Sequence, residues 1–159
     1  MRPDLRFLLS HPSHFIALGF GAGLSPKAPG TAGSLLAWLL FPLVSVPMPY
    51  TALLLILLLL FIGGVLASER TGRALSVPDH GAIVWDEMVA VWLVLIFTPQ
   101  TLLWQAIAVG LFRFFDIVKP PPVRNVERRF KGGFGVMADD IVAAGYTLLV
   151  LSALLWLFA

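Results

Sequence analysis

The chain has 159 residues, of which 58% are hydrophobic and only 13% charged, with a mean hydropathy of +0.90. A water-facing surface of about 25% charged residues cannot be assembled from it, which excludes a soluble globular domain. The absence of cysteine excludes disulfides, thiolate zinc sites and cysteine nucleophiles, and a net charge of +2 confined to a few short segments does not suit a nucleic-acid partner.

The length allows a single domain, residues 1–159, and the pattern predicts an all-α membrane protein. The N-terminal stretch carries basic residues but no long apolar run ending in a small-residue cleavage site, so it does not read as a signal peptide. His14 to Leu24 is too short to cross a bilayer and reads as an interfacial or re-entrant piece. The charge-free stretch from Ala28 to Ser68 is long enough for two crossings, and Val46-Pro47-Met48-Pro49-Tyr50 divides it into Gly33 to Ser45 and Thr51 to Ala67. Met88 to Phe112 is also uncharged, with a turn signal at Thr98-Pro99-Gln100-Thr101. Folding it as a hairpin puts Lys27, Arg70, Arg73, Lys119, Arg124, Arg128, Arg129 and Lys131 on one side, as the positive-inside rule requires; a single span would not. Ile141 to Ala159 supplies the last of about five transmembrane helices. The N-terminus is then cytoplasmic, and the residues capable of chemistry gather on the cytoplasmic side.

Adjacent carboxylates recur at the start of apolar helices, in Trp85-Asp86-Glu87-Met88 and Ala138-Asp139-Asp140-Ile141. Neighbours on a helix diverge by about 100°, so one member of each pair can face the bundle centre. Acids also favour first helical turns as caps, but capping needs one acid per helix rather than two. Hard oxygen ligands without a His or Cys cluster point to Mg²⁺ held by Asp86, Glu87, Asp139 and Asp140. In Arg113-Phe-Phe-Asp116-Ile-Val-Lys119-Pro-Pro-Pro-Val-Arg124, the cations Arg113, Lys119 and Arg124 read either as an anion clamp or as helix-end and positive-inside charges. The run from Gly19 to Ser34 is rich in glycine and proline and leads into an apolar helix, so amides and hydroxyls of Thr31 and Ser34 can meet an anion; close helix packing would use the same small residues. It lacks the order of a nucleotide P-loop. Lys131-Gly-Gly-Phe-Gly-Val-Met reads as a flexible loop before Asp139. His80, in a loop ahead of Asp86, is a candidate acid or base, or a polar surface residue. Carboxylates, cations and glycine amides together suit a phosphate group on a lipid. A small ion or anion transporter is the alternative, disfavoured because almost no polar residue lies in the external half of the spans.

Read together, GFGAGLSPKAPGTAGSL, DHGAIVWDE, RFFDIVKPPPVR and GGFGVMADDIVAAG resemble the motifs of the bacterial phosphatidylglycerophosphatase A family, in family order from about Gly19 to Gly145. The resemblance implies a Mg²⁺-dependent phosphatase of the inner membrane that converts phosphatidylglycerophosphate to phosphatidylglycerol and phosphate. Its polar motif residues correspond to Thr31, His80, Asp86, Glu87, Arg113, Asp116, Lys119, Asp139 and Asp140. Pro121 stands where an aromatic residue is common and Ala90 where glycine is usual; every charged motif residue is in place. The implied partners are the phospholipid substrate and membrane lipids.

Overall fold

The computed structural model describes residues 1–159, and every element in it is helical. In chain order these are α1 (Leu5–Leu9), α2 (Pro12–Ala17), a 3₁₀ segment (Gly19–Leu24), α3 (Pro29–Val44), α4 (Tyr50–Ala74), α5 (Trp85–Ile96), α6 (Leu102–Val118), α7 (Val123–Arg129) and α8 (Gly132–Phe158).

The centre of the fold is α5. Ten of its 12 residues are buried, because its sequence, WDEMVAVWLVLI, is apolar on all sides beyond the first turn. Helices α3, α4, α6 and α8 surround it, with α4, α8 and α6 packed in succession and α3 touching α6 only sparingly. Two central tryptophans satisfy their indole N–H groups on neighbouring helices, Trp85 donating to the Leu60 carbonyl at 3.1 Å and Trp92 to the Ala37 carbonyl at 2.8 Å. Outward-facing leucines and aromatics, among them Leu39, Leu59, Leu103 and Trp156, are exposed to the surroundings rather than to the core, an apolar exterior that suits lipid.

The expected breaks fall where prolines and turn residues place them, at residues 45–49 and 97–101. Two helices, Tyr50–Ala74 and Gly132–Phe158, are long and apolar enough to cross a membrane. Helices α3, α5 and α6 have 16, 12 and 17 residues, short of the roughly 20 that a straight crossing takes, so the count of five spans is not established by length.

One local expectation needs correction, and one element was not anticipated. The stretch from Lys131 to Met137 is not a loop: α8 starts at Gly132, two turns before Asp139. Glu69 of α4 makes this possible, accepting a 2.6 Å hydrogen bond from the Gly133 amide and placing a carboxylate at the helix start. The segment Pro120–Phe130, which had no predicted element, contains α7. Near the N-terminus, positive φ angles at Gly19, Phe20 and Gly21 end the helical path after α2, so that α2 packs on α4 and the 3₁₀ segment folds back against α3.

Candidate active site

Four structural elements meet where α5 begins. The first turn of α5 supplies Asp86 and Glu87, the last turns of α6 supply Arg113 and Asp116, and α8 supplies Asp140 from its third turn. The amino end of α3 closes the group. Gly30 sits so close that a methyl group there would lie 3.0 and 3.1 Å from the two terminal nitrogens of Arg113 and would overlap the Glu87 carboxylate. A methyl group there would displace both side-chain ends from these positions, and the Gly30 amide, in the first turn of α3, has no acceptor within the helix.

One carboxylate oxygen from each of Asp86, Glu87 and Asp140 can be chosen so that the three lie within 4.8 Å of one another. Arg113 forms ion pairs with Glu87, at 3.5 Å, and with Asp116, while Asp116 stands beside Asp140. Four acids thus gather beside one guanidinium, which pairs with two of them. Asp86 Oδ1, Glu87 Oε2, Asp140 Oδ2 and Arg113 Nε are all buried without a hydrogen-bond partner. Buried carboxylates are normally paired or metal-bound, so oxygens left without partners and gathered this closely have the character of a site for a hard divalent cation. No nitrogen or sulfur ligand belongs to the group.

The adjacent pair on α8 divides its work. Asp139 does not join the three-carboxylate group as a ligand: its Oδ2 lies 2.9 Å from Lys119 Nζ and its Oδ1 accepts the Asp140 amide at 3.0 Å. The 100° between helical neighbours turns it away. Lys119, which caps α6 in a left-handed conformation, also holds Glu127 of α7 at 2.9 Å. Burial works against its ammonium, but these two carboxylates outweigh burial and raise its pKa above the ordinary lysine value. Lys119 is therefore a tie between α6, α7 and α8 rather than a free anion ligand. Asp79, Arg128 and Lys131 line a small cavity of about 190 Å³ beside this tie.

Three other candidates are placed elsewhere or otherwise engaged. Ser34 is buried and gives its hydroxyl proton to the Gly30 carbonyl at 2.9 Å, so it stabilises the start of α3. His80 accepts the Ala82 amide on Nδ1 at 3.1 Å and approaches the Met1 carbonyl with Nε2 at 3.0 Å; both ring nitrogens are committed to loop structure. Arg124 is exposed on α7 and forms no ion pair. Thr31 is half-buried, one residue after the Gly30 contact. What the sequence did not disclose is Glu127, although its i,i+4 spacing to Lys131 was a weak helix signal, and the steric role of Gly30, which no local pattern announces.

A cluster of unpartnered acids beside an arginine is common to several chemistries, and comparison with known proteins decides among them. The profile of the family described as Phosphatidylglycerophosphatase A matches residues 15–155. The chain belongs to the phosphatidylglycerophosphatase A family. It is a phosphatase, which removes the transporter alternative. It is 42% identical over 154 residues to phosphatidylglycerophosphatase A of Haemophilus influenzae, covering 96% of this chain and 94% of that protein. With the Escherichia coli K12 phosphatidylglycerophosphatase A it shares 43% identity over 143 residues, 87% of this chain and 80% of that one. A putative phosphatidylinositol-3-phosphatase of Bacteroides thetaiotaomicron is 42% identical over 149 residues, with 89% and 92% covered. No solved structure matches the chain. The matched span includes every residue of the acid cluster described above.

Proposed function

We propose that this phosphatase hydrolyses the terminal phosphate monoester of phosphatidylglycerophosphate, using Mg²⁺ at the cytoplasmic face of the bacterial inner membrane. The observation that carries the proposal is the convergence of Asp86, Glu87 and Asp140, each with an unpartnered oxygen, beside Arg113 and the amino end of α3. Two relatives named for phosphatidylglycerophosphate support the substrate. A third, equally similar, is named for an inositol lipid, and all three names specify a phosphomonoester on a lipid.

Asp86, Glu87 and Asp140 would hold the cation, whose role when bound is to polarise the phosphoryl oxygens and acidify water. The residues of the chain account for the rest. Arg113, oriented by Glu87 and Asp116, presents donors to the phosphoryl group as charge develops on it, and the free amides at the start of α3 add to that field. A carboxylate of the cluster takes the proton of the attacking water. As the new P–O bond forms, the bond to the glycerol oxygen breaks, and the departing alkoxide recovers a proton from the cluster or from solvent. Asp116 holds the Arg113 fork in place, and Lys119 holds Asp139 and thereby the α8 turn that presents Asp140.

Phosphate release from phosphatidylglycerophosphate in detergent micelles, before and after EDTA and on return of Mg²⁺, tests the reading. Full turnover in metal-free buffer would overturn the carboxylate site. Helices α3, α5 and α6 would lie within the bilayer as short or partial spans around α5. Single cysteines at Ser76 and Gln100, both exposed, should label from opposite sides of the membrane, Ser76 from the cytoplasm. Labelling from one side would refute that topology.

A further inference from the structure

The acid cluster accounts for the phosphate of a lipid substrate and leaves its hydrocarbon without a place. The largest open groove, about 490 Å³, lies between α3 and α6 and is lined by Leu35, Trp38, Leu39, Pro42, Leu102 and Gln105, among others. It is the seam at which the ring of helices around α5 is least closed, since α3 and α6 touch only sparingly.

This groove is in register with the site. On α3, Leu35, Trp38 and Pro42 follow Thr31 at intervals of 4, 7 and 11 residues, which places all four on one helical face. On α6, Leu102 and Gln105 precede Arg113 by 11 and 8 residues and lie on its face. At 1.5 Å per residue the lining begins about 6 Å from Thr31 on α3 and about 12 Å from Arg113 on α6, and it continues to Ser45 and Gln100 at the opposite end of the bundle, about 21 Å from Thr31. Its length is enough to take a chain through the depth of one hydrocarbon leaflet, about 15 Å. Three of the polar side chains in the groove are tied to each other: Trp38 Nε1 donates to Gln105 Oε1 at 2.9 Å, and Gln105 Nε2 to Gln100 Oε1 at 3.2 Å. Their pairing leaves the leucines as the exposed lining, and Leu35 and Leu39 are 52% and 75% exposed.

We propose that the α3–α6 groove binds an acyl chain of the lipid whose phosphate occupies the acid cluster, so that the enzyme measures its substrate from headgroup to chain along these two helices. The proposal rests on the lipid-phosphatase reading above and assigns the determinant of chain recognition within it.

Filling the groove with Leu35→Trp or Leu39→Trp tests it, with Leu103→Trp, on the exposed face of α6 outside the groove, as the control. KM for a long-chain lipid phosphate should rise about threefold or more, since the indole takes the space in which the chain packs and fluid lipid replaces only part of those contacts, while KM for the dihexanoyl analogue and both kcat values stay near wild type. A long-chain lipid phosphonate with a mid-chain diazirine should crosslink to α3 and α6 of the wild type and not of Leu35→Trp. Equal losses on long and short substrates would place the fault at the acid cluster and overturn the groove assignment, as would unchanged kinetics on both. Failure of the wild type to hydrolyse any lipid phosphate would instead overturn the lipid-phosphatase reading, a result that the variants do not enter.

Discussion

Substituting Gly30 by alanine separates fold from site more cleanly than changing any charged residue. Ordinary contact begins near 3.4 Å, so the two terminal nitrogens of Arg113, which a Cβ would meet at 3.0 and 3.1 Å, must retreat by 0.4 and 0.3 Å. The Glu87 carboxylate, which the new methyl would overlap, must move further and give up its position next to Asp86 and Asp140. Misplacing a catalytic group by about 1 Å can cost about 100-fold in rate, so kcat should fall between about 10-fold and 100-fold. Stability should not follow, because alanine favours a helix over glycine by up to about 1 kcal/mol, enough to offset the local shift. The assay pairs phosphate release with thermal melting in detergent, and Gly63→Ala, which meets open space, serves as the control. A folded Gly30→Ala enzyme with normal kcat would refute the reasoning, since Glu87 and Arg113 would then not need the positions they occupy. Loss of folding in Gly30→Ala but not in Gly63→Ala would refute it as well.

Asp140→Asn should lower kcat by about 1,000-fold while leaving the melting temperature in EDTA equal to or above wild type, because it removes a charge from a crowded group; the Mg²⁺-induced rise in melting temperature should disappear. A lower melting temperature in EDTA would mean that Asp140 is structural. Lys119→Met should reduce kcat by about 10-fold with KM and expression little changed, as a positioning residue would, and Lys119→Arg should restore part of it; normal kcat in folded Lys119→Met would confine this residue to topology. His14 is buried against Thr71 and Phe7, and burial, with His11 and Arg70 adding, holds its pKa below the ordinary 6.5. The unfolded chain therefore takes up the proton first as pH falls, so the stability His14 contributes is present above about pH 6.5 and is lost on acidification below it. Melting of the wild type should fall more between pH 7.5 and 5.5 than melting of His14→Gln, and parallel curves would show that the protonation of His14 is not linked to folding.

Much of the bundle was legible because its signals are local. The proline and turn clusters at 45–49 and 97–101 break helices through backbone chemistry that needs no tertiary context, and the acid pair of α5 stands at a helix start as its sequence indicates. The start of α8 was not legible, because it depends on Glu69 from a helix more than sixty residues earlier. The same limit explains the site. Adjacent acids on α5 and α8 announce that carboxylates meet somewhere, but which of Asp139 and Asp140 turns inward follows from the position of Lys119, and that position depends on the α6 cap and on α7. Ser34, His80 and Arg124 were credible as polar residues beside glycine, acid or cation motifs; their hydrogen bonds and exposure come from packing that residue spacing does not encode.

Clustering four carboxylates with a single guanidinium, paired to only two of them, works against folding unless a cation or protons compensate, so the surrounding structure must supply stability from elsewhere. Here it comes from α5, whose apolar surface is buried on every side immediately beyond Glu87. In a bilayer that stability comes from close side-chain packing rather than from exclusion of water, and it holds the helix in place with two acids in its first turn. The same arrangement fixes the depth of the chemistry. Helices α3 and α5 begin at this level and α6 ends there, so free amides and carboxylates collect at one level of the bundle while the apolar groove runs away from it along α3 and α6. A lipid phosphate presents the same order of parts, a charged ester followed by hydrocarbon, and can meet both without leaving the bilayer.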